Sequence, residues 1–187
     1  MTLQPLPLAG LWQAGTTAAQ DHRGAFTRLF CARALAEVLG PRQILQINQS
    51  RTRLRGAVRG LHFQHAPHAE MKLVRCLRGR VWDVVVDLRA GSPTLLQWCA
   101  TELSADNAQM LLIPEGFAHG FQALEPDSEL LYLHTACHAP QAEGGLHCQD
   151  PRLAITWPLP VADLSARDRQ HPLLAPQFPG FAARVAA

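Results

Sequence analysis

The sequence predicts an all-β chain folded as a jelly roll with a few short helices. Three observations carry this expectation. Short segments rich in Val and Leu recur along the chain. Turn formers separate them, at Gly91-Ser92-Pro93, Pro114-Glu115-Gly116 and Glu125-Pro126-Asp127. Helical composition is confined to brief stretches, and regular short strands with few helices close into sandwiches or jelly rolls. Phe30 to Leu39 (FCARALAEVL) reads as one short helix, favoured by Ala and Leu and stopped by Gly40-Pro41. Lys72 to Leu77 and Arg80 to Leu88 read as two strands flanking Arg78-Gly79, a hairpin signal. Leu95 to Leu103, Gln109 to Ile113 and Glu129 to Thr135 read as further strands. Ser165 to Arg169 reads as a last helical turn, and the Pro-rich tail from about 170 as irregular.

The length of 187 residues suits one domain with its own core, and no repeat or low-complexity linker divides it, so residues 1–187 are taken as a single unit. Apolar residues at 48% and charged residues at 17% are the mix of a globular chain. A net charge of +2 is too small to point to nucleic acid or a membrane surface. The start, MTLQPLPLAGLWQAG, lacks the basic residues and unbroken apolar stretch of a secretion signal. Polar residues interrupt every apolar run short of membrane-spanning length. The expectation is a cytoplasmic protein with neither nucleic acid nor membrane as partner. Cys31, Cys76, Cys99, Cys137 and Cys148 are odd in number and have no CxxC spacing, which argues against a disulfide framework or a zinc knuckle. They read as small buried hydrophobes.

Three segments stand out for chemistry: GAVRGLHFQ (56–64), KLVRCLRGRVWDVVVD (72–87) and PEGFAHGF (114–121). They resemble the two halves of a cupin barrel, the double-stranded β-helix form of the jelly roll. A metal-binding cupin usually offers a His-x-His pair, a Glu and a further His. Here Gln64 stands two residues after His62, and the second half keeps His119. Two ligands fall short of the three that a stable transition-metal site normally needs, so no metal and no other cofactor is expected. His65 and His68 flank Pro67 in a loop and make a weak alternative ligand set with His62.

The resemblance extends to one family. GAVRGLHFQ, KLVRCLRGRVWDVVVDLRAGSPT, LSADN, LLIPEGFAHGF, Tyr132 and LSARD are similar to motifs of the dTDP-4-dehydrorhamnose 3,5-epimerase family. DHRGAF (21–26) and LQINQS (45–50) fit it too, so the matches run in order from Asp21 to Asp168. That resemblance implies a nucleoside-diphosphate 4-keto-6-deoxyhexose as substrate, inverted at C3, C5 or both. The 4-ketone acidifies the hydrogens on both carbons, so the reaction needs a base, an enolate stabiliser and an acid on the other face. By resemblance His62 is the base, Asp168 its orienting carboxylate, Lys72 the cation near the enolate oxygen, and Tyr132 the acid. An imidazole titrates near working pH, as a base should. Outside this pattern a lone His is more often structural, Tyr132 could simply pack, Lys72 could be a solvated strand residue, and Asp168 could merely cap a helix.

The same resemblance assigns Arg23 and Arg59 to the diphosphate, Gln46 and Asn48 to nucleotide or sugar, Phe26 to the base and His119 to the barrel wall near the sugar. Arg51, Arg53, Arg55 and Arg59 share parity and would lie on one face of a strand. Asp83 is a candidate partner for Lys72. Two departures bear on specificity. Arg28 stands where the family usually has Glu, and Cys137-His138 stands where it usually has two tyrosines, so His138 replaces an aromatic that lies against the ligand. A homodimer is implied, with N-terminal strands exchanged so that Arg23 and Phe26 serve the neighbouring site. The rival readings are a single-carbon epimerase, a variant using another nucleotide, a non-catalytic sugar-nucleotide binding cupin, and a metal-dependent cupin oxygenase or isomerase. Joint presence of His62, Lys72 and Tyr132 argues against the binding module, and Gln64 against the metal enzyme.

Overall fold

A computed structural model of the chain describes residues 1–182. Its strands begin with β1 (Thr2–Pro5), β2 (Trp12–Gly15), β3 (Ala19–Asp21), β4 (Gly24–Phe26), β5 (Gln46–Thr52) and β6 (Val58–Gln64). They continue with β7 (Lys72–Arg78), β8 (Arg80–Asp87), β9 (Trp98–Ser104) and β10 (Gln109–Ile113). The last are β11 (Phe117–Ala123), β12 (Ser128–His134) and β13 (Glu143–Gly145). Helices α1 (Ala36–Leu39) and α2 (Ala166–Arg169) are one turn each. Six strands form one antiparallel sheet in the order β1-β2-β10-β7-β12-β5, and five form a second in the order β13-β6-β11-β8-β9. β3 and β4 make a separate ribbon. This is a jelly roll, as the strand pattern predicts, of the cupin type that the motif resemblance implies.

Three apolar clusters hold it together. Val74, Cys76, Leu111 and Leu130 of the first sheet meet Val81, Val85, Leu103 and Phe121 of the second. The outer face of the first sheet, with Leu73, Met110, Leu112 and Leu133, is covered by Leu35 and Leu39 of the α1 segment. The outer face of the second, with Leu61, Phe63, Val86 and Ala118, is covered by Leu146, Leu153 and Leu174. Central strands are therefore buried on both faces. That explains why β7 and β8 read as nearly continuous apolar runs rather than alternating ones.

Three expectations need correction. β7 and β8 exist where expected but do not pair as a hairpin. β7 bonds to β10 and β12, and β8 to β9 and β11. Gly79 alone links them, one residue short of the usual hairpin loop, and the chain crosses from one sheet to the other there. Gly79 adopts φ +71°, and a Cβ on it would lie 2.6 Å from Ser128 Oγ. That hydroxyl accepts from the Arg80 N–H and donates to carbonyls beside the corner. The helix expected over Phe30 to Leu39 is α-helical only at Ala36–Leu39. Its preceding residues form turns that seat Phe30 and Leu35 on the sheet, so docking rather than propensity shapes them. Finally, β5 ends at Thr52, so Arg51, Arg53, Arg55 and Arg59 do not share one strand face.

The final turn lies where expected, with Ser165 as its N-cap accepting from the Asp168 N–H at 3.0 Å. Residues 170–182 form no further helix or strand, apart from an isolated bridge between Phe181 and Arg89. All five cysteines are free; Cys76 and Cys148 are buried as expected, whereas Cys137 is exposed. No helix among the described residues is long and apolar enough to cross a membrane.

Candidate active site

The open end of the barrel holds a cavity of about 930 Å³. Both sheets line it. β6 brings Arg59 and His62, β11 brings His119, β5 brings Gln46 and Asn48, and β12 brings Tyr132. Arg59 and His62 are three residues apart, which in an uninterrupted strand would put them on opposite faces. The pairing of β6 with β11 runs from His62↔His119 to Arg59↔Phe121, so β6 carries one extra residue between them. Such a bulge lets both side chains reach one cavity. Gly60 makes it possible. Its φ is +124°, and a Cβ there would lie 2.6 Å from Gly120 Cα and 2.8 Å from the His119 carbonyl oxygen. The RG of GAVRGLHFQ and the HG of FAHGF are thus the two sides of one close backbone approach.

His62 Nε2 lies 2.7 Å from Asp168 Oδ1, and the other Asp168 oxygen accepts from the Gly60 N–H at 3.2 Å. Asp168 is buried. Burial pushes its carboxyl up, but the hydrogen bond and charge of His62, the Gly60 N–H and nearby His171 outweigh this and hold it at about 2. It is therefore a carboxylate that accepts the His62 Nε2–H, which leaves His62 Nδ1 as the nitrogen free to take a proton. Asp168 reaches this place because α2 packs beside β6, 106 residues away in sequence from His62.

Tyr132 approaches from the opposite sheet. Its hydroxyl shares a hydrogen bond with Ser50 Oγ at 3.2 Å, and its ring meets His119 edge-on at 6.1 Å. Burial pushes the phenol well above its usual range despite the Ser50 bond, so the hydroxyl stays protonated at neutral pH. Lys72 projects into the same cavity, donates to the His62 carbonyl at 3.4 Å and pairs with Glu70 at 3.2 Å. The expected Asp83–Lys72 pair is not formed as a contact. Asp83 sits fully buried against His119 Nε2, both oxygens at 2.9 Å, and feels Lys72 only as a more distant charge. The physical reason is register: Asp83 stands directly opposite Phe121 on β11, two residues from His119 and on the same face.

Gln64, at the position where a cupin metal site would have His, is fully engaged by protein. Its amide nitrogen donates to the His68 carbonyl at 2.8 Å and to Glu70, and its oxygen accepts from the Ala139 N–H at 2.7 Å. It ties the loop after β12 to β6. Gln46 accepts from the His138 N–H at 2.9 Å, which places His138 at the cavity rim near Glu143. Arg23 and Phe26 are not brought to this cavity within one chain. They sit on the β3–β4 ribbon, Arg23 paired with Asp21 at 2.6 Å and Phe26 77% exposed.

Sequence reasoning missed Ser50, Glu70, His134 and His171. Ser50 and His134 follow strand period: Ser50 extends the alternation Gln46, Asn48, Ser50, and His134 lies two beyond Tyr132, whereas Glu70 lies in the loop just before β7 and is identified by its contact with Lys72. His171 sits after α2 with Nε2 3.4 Å from Asp168 Oδ1 and its ring edge-on to His62 at 5.5 Å. Nothing in the sequence pattern flags it, because its placement depends on the fold of the tail.

A cupin-type barrel carrying a His–Asp pair on one wall and a protonated phenol on the other defines an acid–base isomerase. The family described as dTDP-4-dehydrorhamnose 3,5-epimerase matches this chain over residues 5–176. A dTDP-4-dehydrorhamnose 3-epimerase of Streptomyces niveus is 41% identical over 176 residues, covering 94% of this chain and 84% of the relative. A dTDP-4-dehydrorhamnose 3,5-epimerase of Streptomyces griseus is 42% identical over 175 residues, covering 92% and 86%. The crystal structure of a dTDP-6-deoxy-D-glucose-3,5-epimerase from Legionella pneumophila Philadelphia 1, in complex with dTDP-4-keto-L-rhamnose, superposes with a TM-score of 0.87 at 38% identity, covering 92% of each chain. The chain belongs to the dTDP-4-dehydrorhamnose 3,5-epimerase family.

Proposed function

We propose that this chain epimerises a nucleoside-diphosphate 4-keto-6-deoxyhexose, a dTDP-sugar by analogy with its relatives, at C3 and C5 but at unequal rates. The observation that carries the reading is the placement of His62, tied to Asp168 at 2.7 Å, and Tyr132 on opposite sheets of one cavity. His62 Nδ1 removes the proton beside the ketone. Asp168 holds the tautomer and stabilises the imidazolium that forms. The Lys72 ammonium lowers the energy of the enolate oxygen. Tyr132 then delivers a proton to the other face. Its high affinity for that proton keeps it in the donor form between turnovers.

Arg59 with Gln46 and Asn48 on the adjoining wall would hold the diphosphate and nucleotide, and His119, fixed by Asp83, would flank the sugar. His138 at the rim favours unequal treatment of the two carbons, because it fills less space than the aromatic of the family pattern and leaves the sugar a different seat. The same reading makes residues 1–187 one working unit in the cytoplasm, needing no metal or other cofactor, and makes two copies a homodimer. β5 is the open edge of its sheet and exposes Ile47, with Leu45 exposed beside it. A second copy there would bring its Arg23 and Phe26 to the neighbouring cavity. The test is incubation with a panel of nucleotide 4-keto sugars in deuterated water, read by proton NMR. Exchange at both carbons, faster at one than at the other, is the expected result and identifies the substrate; equal rates would refute the unequal treatment, and absence of exchange with every 4-keto sugar would refute the proposal.

A further inference from the structure

The tail supplies the donor set that the barrel itself lacks. His62, Asp168 and His171 each present one ligand atom, and these atoms lie within 4.8 Å of one another. Two imidazoles and a carboxylate are a ligand set suited to Zn²⁺ and neighbouring divalent ions. A four-coordinate zinc ion with bonds of about 2.0–2.2 Å holds its donors about 3.4 Å apart. Asp168 Oδ1 and His171 Nε2 already stand 3.4 Å apart, and His62 needs only a small ring movement away from its 2.7 Å contact. His171 Nε2 is buried and makes no hydrogen bond, its one polar neighbour here being Asp168 Oδ1, a fellow member of the cluster. Its ring is also seated for this position. Gly145 lies opposite His62 in the β13–β6 pairing, and any Cβ on Gly145 would overlap the His171 ring. The His62 side chain is 33% exposed toward the cavity, which leaves room for water as a fourth ligand.

We propose that this cluster is an inhibitory site for a divalent transition-metal ion, sharing His62 with the cupin ligand positions but completed by Asp168 and His171. The consequence rests on His62 acting as the base. An ion on Nε2 takes that nitrogen's lone pair, so the single proton of the neutral ring moves from Nε2 to Nδ1. A neutral imidazole so protonated cannot accept the substrate's proton. Metal would therefore stop the enzyme that needs none.

The test uses the full chain. Co²⁺ is titrated first, read by its visible absorption, and Zn²⁺ competition for the site is then measured. Solvent deuterium exchange into substrate is followed at each Zn²⁺ concentration, for wild type, His171→Ala and Gly145→Ala. Loss of even a group that supports a metal ligand costs roughly 10–100-fold in affinity. Both variants should therefore need at least tenfold more Zn²⁺ for half-inhibition, each judged against its own metal-free exchange rate. A chelator should restore wild-type exchange. Binding that is absent, or unchanged in His171→Ala, overturns the metal site and leaves the acid–base reading intact. Binding that His171→Ala removes, but that leaves exchange running at saturation, overturns His62 as the base and leaves the site standing.

Discussion

His134 gives the structure an acid sensitivity that one substitution should remove. The residue sits on β12 two positions beyond Tyr132, stacked on its ring at 6.1 Å, with its side chain 13% exposed. Its Nδ1 is buried without a hydrogen bond, the nearest carboxylate being Glu70 at 3.8 Å. Burial, followed by the positive charges of Lys72, His119 and His138, lowers its pKa from 6.5 to about 4. The unfolded chain takes up this proton near pH 6.5, while the folded chain resists it down to about 4. The stability due to neutral His134 is complete above pH 6.5 and is lost as pH falls through that interval. At about 1.36 kcal/mol per pH unit the full loss is a little over 3 kcal/mol. Glu70 works in the other direction. Burial raises its carboxyl, so its protonation favours the folded state as pH falls. The comparison that isolates His134 is therefore wild type against His134→Gln, which keeps a polar side chain of similar reach and removes the titration. Urea unfolding at about pH 7.5 and about pH 4.5 would give the free energies. Wild type should lose roughly 2–3 kcal/mol more than the variant between the two conditions. Equal losses would show that His134 titrates normally and that the argument from its buried, cation-lined setting is wrong.

Other outcomes follow from the same geometry. Exchange activity should survive dialysis against a chelator, confirmed by elemental analysis, since Gln64 is committed to Glu70, His68 and Ala139; activity that returned only with one metal would contradict this. His62→Ala should lower exchange at both carbons by about 10²–10⁴-fold. Asp168→Asn should lower it less, because it misorients the base without removing it. Gly60→Ala should destabilise the fold by at least about 1–3 kcal/mol in denaturant titration, since its φ of +124° and the approach of Gly120 Cα leave no room for a methyl group. A Gly60→Ala protein of wild-type stability would mean that the β6–β11 approach relaxes freely.

Much of this was legible because strand periodicity is a strong local signal. Gln109–Ile113 is a strand over the residues expected, and β8, β9 and β12 differ from expectation only at their ends. Pairing was less legible. Lys72 to Leu88 reads as a hairpin because Arg78-Gly79 is a turn, yet a turn says only that the chain bends, and Gly79 bends it into the other sheet. His62 and Arg59 share the cavity only because β6 bulges at Gly60, which spacing alone does not show, and Tyr132 meets Asn48 across the β5–β12 pairing, which no single motif contains. Side-chain partners were less legible than strands. Asp83 takes His119 rather than Lys72, and Lys72 takes Glu70 from the loop just before it. His171 is reached only through the path of the tail. Arg23 and Phe26 lie on the β3–β4 ribbon outside the cavity of a single chain, where nothing in the spacing of DHRGAF foretells their distance from His62.

The central claim is that proton removal and proton return are separate acts by His62 and Tyr132 on opposite faces of the sugar. One experiment addresses it directly: a time course of deuterium incorporation at C3 and C5 beside the yield of epimer, for wild type and Tyr132→Phe. The variant keeps its base, so it should still wash solvent deuterium into the substrate while returning it to the original face and forming little inverted product. Inversion at the wild-type rate by Tyr132→Phe would contradict the account, because the acid would then be some other group.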